Sequence, residues 1–247
     1  MTYIYKVATL NINGITSAIR LRMLEEFLHK QDIDIILLQE VTDPNLNALH
    51  RYTTHINQGT DGRGTAILTK EGFTISNTKR LPSGGGIAAT FNGVWMMNVC
   101  APSEAEKKSE REGFYTHALP HLLPSTRSEM LLAGDFNCVL GTNDRTGHNN
   151  YSRALASIVH ALVLPDMWDA SLSRNGYTHY TPLAASRLDR IYVTNQLLSR
   201  KQGAETVATA FTDHFPVVLR LAIDIPLPLR QRILKDECIL LRREGFP

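Results

Sequence analysis

Short apolar runs recur along the whole chain, and each is bounded by residues that favour turns. The runs are often β-branched, and clusters of Gly, Pro, Asn or Asp separate them. This is the pattern of short β-strands. It predicts strands over residues 3–11, 34–38, 65–69, 74–77, 87–91, 94–99, 130–133, 188–193 and 217–223.

Segments between some of these strands have apolar residues at helical spacing instead. One begins after Ser17, a suitable N-cap; another begins at Ser103, with Glu106 three residues later and apolar residues from Phe114; a third covers residues 152–164. Strands outnumber these helices. The pattern therefore favours an α/β protein built on two packed sheets over one built on a single parallel sheet.

Composition narrows the class of protein without naming its function. A chain of 247 residues with 43% hydrophobic and 20% charged residues is typical of a globular protein with one large domain or two small ones. A net charge of +2 permits nucleic-acid binding but does not require it. Three cysteines without metal-type spacing favour a reducing compartment. We expect no membrane segment, a main domain over residues 1–225, and a basic extension over residues 226–247.

Polar residues stand at the ends of several predicted strands. In LLAGDFN, for example, a buried-type run ends at Gly134 and is followed by Asp135 and Asn137. The other residues of this kind are Asn11, Asn13, Gln39, Glu40, Asp189, Asp213 and His214. A single one would be an ordinary turn or cap residue. Together they indicate a site, because a carboxylate at a strand end is held rigidly while its oxygens stay accessible to a hard cation.

The segments LNINGI, LLQEV, GDFN, SRLDRI and TDH, in this order, resemble the endonuclease/exonuclease/phosphatase superfamily. Its members include exonuclease III, the abasic-site endonucleases, DNase I and the endonuclease domains of non-LTR (LINE-type) retrotransposons. The resemblance covers roughly residues 3–223. It implies a DNase I-like fold, a four-layer α/β sandwich in which two mostly antiparallel sheets pack face to face between helices.

The resemblance also implies phosphodiester hydrolysis that depends on Mg²⁺, with Mn²⁺ as a substitute ion. Glu40 would bind the ion, and Asn11 would complete the metal or phosphate shell. Asp135 would orient and deprotonate the attacking water, while Asn137 would donate a hydrogen bond to a phosphate oxygen.

Three further catalytic candidates lie near the end of the matched region. His214 would donate to the same phosphoryl group, and Asp189 would hold the other nitrogen of its ring. Asp213 would belong to the metal and proton-transfer network of the family. The predicted catalytic set is therefore Asn11, Glu40, Asp135, Asn137, Asp189 and His214, and the predicted metal ligands are Asn11, Glu40 and Asp213.

One position departs from the family. DNA-cleaving relatives usually carry a Tyr before Ala-Pro, and its phenol contacts the scissile phosphate, whereas this chain reads NVCAPS with Cys100 there. A thiol is shorter than a phenol and donates weakly. Either another donor such as Asn98 or a water replaces the contact, or activity is reduced.

Some features resemble the retrotransposon branch in particular. These are NINGI, the DRTG segment that holds Arg145, and GYTHYTPLAASRLDRI, where such domains carry a DNA-reading hairpin. The resemblance makes Thr178 and Ser186 candidates for DNA contact, and it places Arg145 where such domains carry a phosphate-contacting Arg. Two nearby basic residues, Arg187 and Arg190, are further candidates for holding phosphates. Thr178 and Ser186 are equally consistent with ordinary strand and turn residues.

We therefore expect a DNA endonuclease that nicks double-stranded DNA and leaves a 3′-OH primer for reverse transcription of a retrotransposon. It would act in the nucleus as a monomeric domain, with a reverse transcriptase domain following in the same polypeptide. Two alternatives stay open from the sequence. They are an abasic-site repair endonuclease and a catalytically weak DNA-binding module, the second favoured slightly by Cys100.

Overall fold

The computed structural model describes residues 2–15, 17–42, 44–103, 107–147, 150–168 and 176–224, and the predicted basic extension lies outside them. The strands are β1 (Thr2–Asn11), β2 (Ile35–Val41), β3 (Tyr52–Gln58), β4 (Gly64–Lys70), β5 (Ser76–Arg80), β6 (Gly86–Phe91), β7 (Val94–Cys100), β8 (Glu129–Asp135), β9 (His179–Thr181), β10 (Ala184–Ser186), β11 (Asp189–Val193), β12 (Lys201–Thr206) and β13 (Val217–Asp224). The α-helices are α1 (Ala18–Gln31), α2 (Lys108–Gly113), α3 (Arg153–Ala161) and α4 (Asn195–Leu198).

Two large sheets form the centre of the molecule. The first has six strands in the order β12-β13-β1-β2-β4-β3, and the second has five in the order β11-β8-β7-β6-β5. Only the β1–β2 and β7–β8 ladders are parallel within these sheets of the described chain; their other ladders are antiparallel. The small β9–β10 hairpin stands apart from both sheets. The mostly antiparallel pair of sheets confirms the predicted fold class.

Alternation along the strands produces four layers. In β1, Tyr5 and Val7 face the core between the sheets, whereas Ala8 and Leu10 face a second core that includes Leu24 of α1. In β8, Leu131 and Ala133 join the core between the sheets, and Leu132 joins a third core beneath α3. Both sheets are therefore apolar on both faces, which explains why their strands read as continuous apolar runs.

Apart from β9 and β10, which fall in the hairpin expected from the resemblance, the strands that the sequence pattern missed lie at the edges of the first sheet. β3 has the sequence YTTHINQ and β12 has KQGAET, and neither contains a run of apolar residues. Edge strands need less burial and carry more polar residues, so hydrophobic periodicity is weak there. β5, another edge strand, begins and ends later than predicted, at Ser76–Arg80.

The predicted helices are confirmed with changes at their ends. The Ser17 hydroxyl accepts a hydrogen bond from the Arg20 amide, as an N-cap does, and the Ser152 hydroxyl caps α3 in the same way. The second helix is shorter than predicted: α2 is followed by a π-turn over Phe114–Ala118 and a 3₁₀ turn over Leu119–Leu122. Glu106, the expected capping-box partner, lies outside the described residues. None of the helices in the described part of the chain has the length and hydrophobicity needed to cross a bilayer.

Candidate active site

The site lies where the layer between the two sheets reaches solvent. Strand positions that face this layer are apolar in the middle of the sandwich and become polar at one end. Adjacent strands align these polar residues: Asn11 pairs with Gln39, Cys100 with Asp135, and Asp135 with Asp189. The same alternation that builds the core therefore brings the predicted catalytic residues together.

Backbone irregularities aim two further side chains. Glu40 follows Gln39 and would point to the other face in a regular strand, but the β2–β4 register shifts at this point and Glu40 has φ 54°. Asn137 also has a positive φ, of 49°. A left-handed conformation is uncommon for Glu and occurs mostly where surrounding structure imposes it, as at functional sites.

Gly134 allows the neighbouring strand to approach Asp135 closely. Its φ is 144°, and a Cβ built there would lie 1.9 Å from the carbonyl oxygen of Val99. No larger residue fits, so the glycine in GDFN is required by the packing of β8 on β7.

Asn11 joins two carboxylates. Its Nδ2 donates to Glu40 Oε1 at 3.0 Å and to Asp135 Oδ2 at 2.8 Å, while its Oδ1 accepts from the Asn13 amide at 2.9 Å. The second Glu40 oxygen forms an ion pair with Arg63 Nη1 at 2.8 Å. Glu40 and Asp135 thus meet at one point, and the side chain that holds them there is neutral.

Asp135 and Asn137 form a tight turn. The Asn137 amide donates to Asp135 Oδ1 at 2.9 Å, and Asn137 Nδ2 donates to the carbonyl of Ala101 at 2.8 Å and to Asp135 Oδ2 at 3.2 Å. Burial and the negative charge of Asp189 raise the pKa of Asp135 to about 6, although His214, Asn11 and the Asn137 amide act in the opposite direction. A carboxylate with this pKa is ionised at neutral pH yet basic enough to accept a proton.

His214 is fixed by Asp189 and faces Asp135. Its Nδ1 lies 2.8 Å from Asp189 Oδ2, so Nε2 is the nitrogen directed at Asp135 Oδ2, 4.0 Å away. Burial alone would lower the pKa of His214, but the charge and hydrogen bond of Asp189, and then Asp135 and Asp213, raise it to about 10. The ring is therefore an imidazolium at neutral pH, with a proton on Nε2.

Asp213 lies on the solvent side of His214. Its Oδ1 accepts from Asn13 Nδ2 at 3.3 Å, and its Oδ2 lies 3.5 Å from His179 Nε2. Burial would raise the pKa of Asp213, but the charge of His214 and nearby hydrogen bonds hold it below its usual value. The His179 and His214 rings lie 4.6 Å apart, centroid to centroid.

The carboxylates fit a hard divalent cation. Ligand atoms of Glu40, Cys100 and Asp135 all lie within 4.8 Å of one another, and Asn11 adds an amide beside them. The negatively charged oxygens of Glu40 and Asp135 converge on an open cleft of about 350 Å³, which suits an ion that binds one or two carboxylates and keeps its waters. The Cys100 thiol is a poor ligand for such an ion. Burial and the surrounding carboxylates raise its pKa, which keeps it protonated.

The predicted DNA contacts fall into two groups. Arg145 and Ser186 pair through a β-bridge and both line the cleft. Thr178 is buried, and its hydroxyl accepts from the amides of Leu188 and Asp189, so its visible role is to hold the strand that carries Asp189.

Arg187 is engaged elsewhere. It forms ion pairs with Asp144 at 2.9 Å and with Asp166 at 2.7 Å, and the buried Arg190 binds the same two carboxylates at 2.7 and 3.1 Å. The guanidinium groups of Arg187 and Arg190 are therefore poor candidates for holding phosphate, and their DNA contacts stay predictions. Asn98 also faces away from the cleft, because it binds Gln39 and the carbonyls of Leu38 and Ala66 between the sheets.

Sequence reasoning missed several residues of the cleft, among them Arg63 and His179. Arg63 stands in a Gly-rich turn before β4, where a lone Arg is typical of a solvated loop. His179 lies within the predicted hairpin but carries no motif of its own. A backbone bridge between His179 and His214 joins the hairpin to the catalytic loop, and only the tertiary structure reveals this contact.

A family model described as Endonuclease/Exonuclease/phosphatase family matches residues 8–214 of the chain. The chain belongs to this family. Among curated proteins it is 26% identical over 268 residues to "Transposon TX1 uncharacterized 149 kDa protein" of Xenopus laevis, covering 97% of this chain and 20% of that protein. The chain thus spans about a fifth of the length of this relative, which is a transposon protein.

Solved structures share the fold. An AP endonuclease from Archaeoglobus fulgidus has a TM-score of 0.74 at 21% identity, covering 87% of this chain and 98% of its own. A 3′ phosphatase from Neisseria bound to a product DNA hairpin has a TM-score of 0.73 at 18% identity, covering 88% and 99%. These similarities confirm the DNase I-like architecture predicted from the sequence.

Proposed function

We propose that this protein is a Mg²⁺-dependent endonuclease that nicks double-stranded DNA by phosphodiester hydrolysis. The observation that carries the proposal is the constellation in one cleft. Asp189 orients His214, the Nε2 of His214 faces Asp135 at 4.0 Å, and Asn11 joins Asp135 to Glu40. A base, a proton donor and a set of metal-binding oxygens therefore surround a space open to solvent.

Each residue has a role that its geometry supports. Asp135 accepts a proton from the attacking water, and Asn137 fixes one Asp135 oxygen through its backbone amide so that the other stays directed at the cleft. His214 donates its Nε2 hydrogen to a phosphoryl oxygen, where negative charge increases in the transition state. Asp189 keeps that proton on the side facing the cleft.

Glu40, Asn11 and Asp213 are the residues proposed to hold Mg²⁺. When bound, the ion supplies charge neutralisation of the phosphate and stabilisation of the leaving 3′ oxygen. Arg63, paired with Glu40, sits at the boundary of this set and lines the same cleft. Arg145 and Ser186 on the other side of the cleft are proposed to contact the DNA backbone.

The biological role that fits best is nicking of target DNA to provide a 3′-OH primer for reverse transcription of a non-LTR retrotransposon. The similarity to a transposon protein supports it, and so does the retrotransposon-like DRTG segment. We place the catalytic domain at residues 1–225, with residues 226–247 as a basic extension. A reverse transcriptase domain in the same polypeptide, a monomeric endonuclease and a nuclear location are parts of this proposal.

A plasmid assay tests the proposed chemistry. Supercoiled DNA should be converted to the nicked form with Mg²⁺ but not with a chelator, and the nicks should be extended by a DNA polymerase because they carry a 3′-OH. Asp135→Asn and His214→Ala should each reduce the rate by about 10²–10⁴-fold, the usual contribution of a general acid or base. Glu205→Gln, at an exposed position on β12, is the matched control and should retain activity.

Three outcomes would count against the proposal: nicking without divalent metal, variants within about tenfold of the wild-type rate, or loss of the fold in both variants by circular dichroism. An abasic duplex assayed in parallel separates the repair alternative. Incision there that far exceeds plasmid nicking would make the protein an abasic-site endonuclease with the same catalytic residues.

A further inference from the structure

A second cluster, formed by His179, Asp213 and His214, lines the same cleft. Their ligand atoms lie within 4.8 Å of one another. His179 Nε2 and Asp213 Oδ2 are 3.5 Å apart, close to the roughly 3.3 Å that separates two ligands around a tetrahedral ion with bonds of about 2.0 Å. The two imidazole rings are neighbours at 4.6 Å.

We propose that this cluster is a binding site for a borderline transition-metal ion such as Zn²⁺, separate from Glu40 and Asn11 although it shares Asp213 with the proposed Mg²⁺ ligands, and that its occupation inhibits the enzyme. Two imidazoles and one carboxylate suit Zn²⁺, whereas Mg²⁺ prefers oxygen ligands and water. The inhibitory part rests on the proposed function; the binding part does not.

The environment of His214 supports ligation. Because Asp189 engages Nδ1 at 2.8 Å, Nε2 is the nitrogen left to bind the ion. Histidine ligands in metal sites usually have such a carboxylate on the other ring nitrogen, which fixes the tautomer and makes the ligand more basic. The ion would take the place of the Nε2 hydrogen, with the Asp135 carboxylate 4.0 Å from that nitrogen.

Access and coordination number also fit. The Asp213 side chain is 46% exposed and that of His179 is 21% exposed, so an ion can enter from solvent. Three protein ligands leave a fourth position for water, as in open zinc sites. Asp213 keeps its other oxygen on Asn13, which holds the carboxylate in place.

Inhibition is expected because the ion would occupy His214 Nε2, the nitrogen that acts in the proposed mechanism. An ion bound to His214 Nε2 removes the hydrogen that the proposed mechanism donates to the phosphoryl group. Mg²⁺ bound at Glu40 would therefore activate the protein, whereas Zn²⁺ bound at His179, Asp213 and His214 would inactivate it. His179 is what creates this second site, since without it the cluster retains only two ligands.

Binding is tested first without DNA, by titrating the metal-free protein with Co²⁺ as a coloured substitute for Zn²⁺. The wild type should develop a visible d–d band that saturates at one ion per chain and is abolished by Zn²⁺. His179→Phe keeps a ring against His214 but removes the ligand nitrogen, and with Asp213→Asn it should weaken Co²⁺ binding by at least about tenfold. His160→Ala, an exposed histidine on α3, is the control for casual imidazole binding and should behave as wild type.

A Cys100→Ser variant tests the competing location among Glu40, Cys100 and Asp135. The proposal expects the Co²⁺ band to survive this change. It would be overturned by the absence of a saturable band, by a band that persists in His179→Phe, or by a thiolate charge-transfer band that disappears in Cys100→Ser.

Inhibition is then measured as the rate of Mg²⁺-supported plasmid nicking against Zn²⁺ concentration, with each variant normalised to its own rate in Mg²⁺ alone. His179→Phe should need at least about tenfold more Zn²⁺ for half inhibition. Equal sensitivity of wild type and variant would refute the inhibitory role. If the protein does not nick DNA at all, the proposed function fails, while the Co²⁺ titration still decides whether the site exists.

Discussion

At the scale of single residues, Cys100 is the position where this chain departs from its DNA-cleaving relatives. Cys100 faces Glu40 and Asp135, and it also lines a cavity of about 460 Å³ that adjoins the cleft. Asn98, the other donor considered for the phosphate contact, is fully buried between the sheets. Asn98 therefore does not replace the missing phenol, and the adjoining cavity has room for one.

We expect Cys100→Tyr to raise nicking activity. A recovered hydrogen bond in the transition state contributes roughly 0.5–1.5 kcal/mol, which corresponds to up to about tenfold in rate. The measurement is single-turnover nicking at saturating Mg²⁺. Cys100→Phe is the matched control, because it adds the ring without the hydroxyl and should give no gain. A lower rate in Cys100→Tyr than in wild type would mean that the smaller residue is required by the packing around Glu40.

At the scale of elements, the β9–β10 hairpin combines an anchored base with an exposed tip. The base is held by the His179–His214 bridge and by the Thr146 and Ala185 backbone bond. At the tip, Leu183 is 95% exposed, and Thr181 Oγ1 accepts from the Leu183 and Ala184 amides. Apolar side chains presented in this way can enter the minor groove and open a base step.

Replacing Pro182-Leu183 by Gly-Ser should therefore change where the protein nicks more than how fast it nicks. The minor groove distinguishes bases poorly, so preference should follow deformable pyrimidine–purine steps, and the variant should lose that preference. Mapping nick positions on one plasmid by primer extension makes the comparison. Ile19→Ser, which removes a 73% exposed side chain on α1, is the control. An unchanged map would exclude the tip as a specificity element.

The hairpin is also connected to a buried network of four charges. In this network each of the two arginines, Arg187 and Arg190, forms ion pairs with both carboxylates, those of Asp144 and Asp166. The four side chains are between 1% and 19% exposed. The network links the loop before Arg145 to the start of β11, which carries Asp189. It thus holds the DNA-facing and catalytic parts of the cleft in a fixed relation.

Arg190→Ala should destabilise the protein by about 3–5 kcal/mol, because the buried carboxylates of Asp144 and Asp166 would each lose one of two arginine partners. Urea unfolding monitored by fluorescence measures this. Arg200→Ala breaks a more exposed pair with Glu129 and should cost less than about 1 kcal/mol. Equal losses of unfolding free energy in Arg190→Ala and Arg200→Ala would show that the buried network stabilises the protein no more than the exposed pair does.

At the scale of the whole molecule, stability should depend on pH through His214. Its pKa is raised from 6.5 to about 10 in the folded state. The folded protein keeps this proton between those values while the unfolded chain loses it. The stabilisation is therefore complete below pH 6.5 and is lost as the pH rises through about 10.

Asp189→Asn should remove most of this dependence, because Asp189 is the main cause of the raised pKa. Urea unfolding with a chelator present, at intervals from pH 6.5 to 9.5, should show wild type losing at least about 1.4 kcal/mol more than the variant, the equivalent of one pKa unit. If the free energy of unfolding changes with pH in parallel for the two proteins, the Asp189–His214 pair does not provide this stabilisation. Groups that titrate in both proteins and do not interact with Asp189 cancel in the comparison.

Much of this architecture is present in the sequence itself. Apolar runs predicted the inner strands, because residues buried on both faces must be apolar whatever their neighbours are. The ordered segments LNINGI, LLQEV, GDFN, SRLDRI and TDH predicted the family and the fold. They also identified side chains that the structure brings into one cleft, with Asn11 touching both Glu40 and Asp135. The catalytic roles of these residues stay predictions until the variants are assayed.

Only the tertiary structure decided the rest. The edge strands β3 and β12 form by pairing with neighbours, since their own sequences lack a buried face. Arg187 reads as a DNA-binding cation but meets Asp144, 43 positions earlier in the chain. His179 reads as a hairpin residue but lies against His214, 35 residues away by number. Periodicity reports whether a position is buried, whereas the partner of a charged side chain depends on contacts between segments that are distant in the chain.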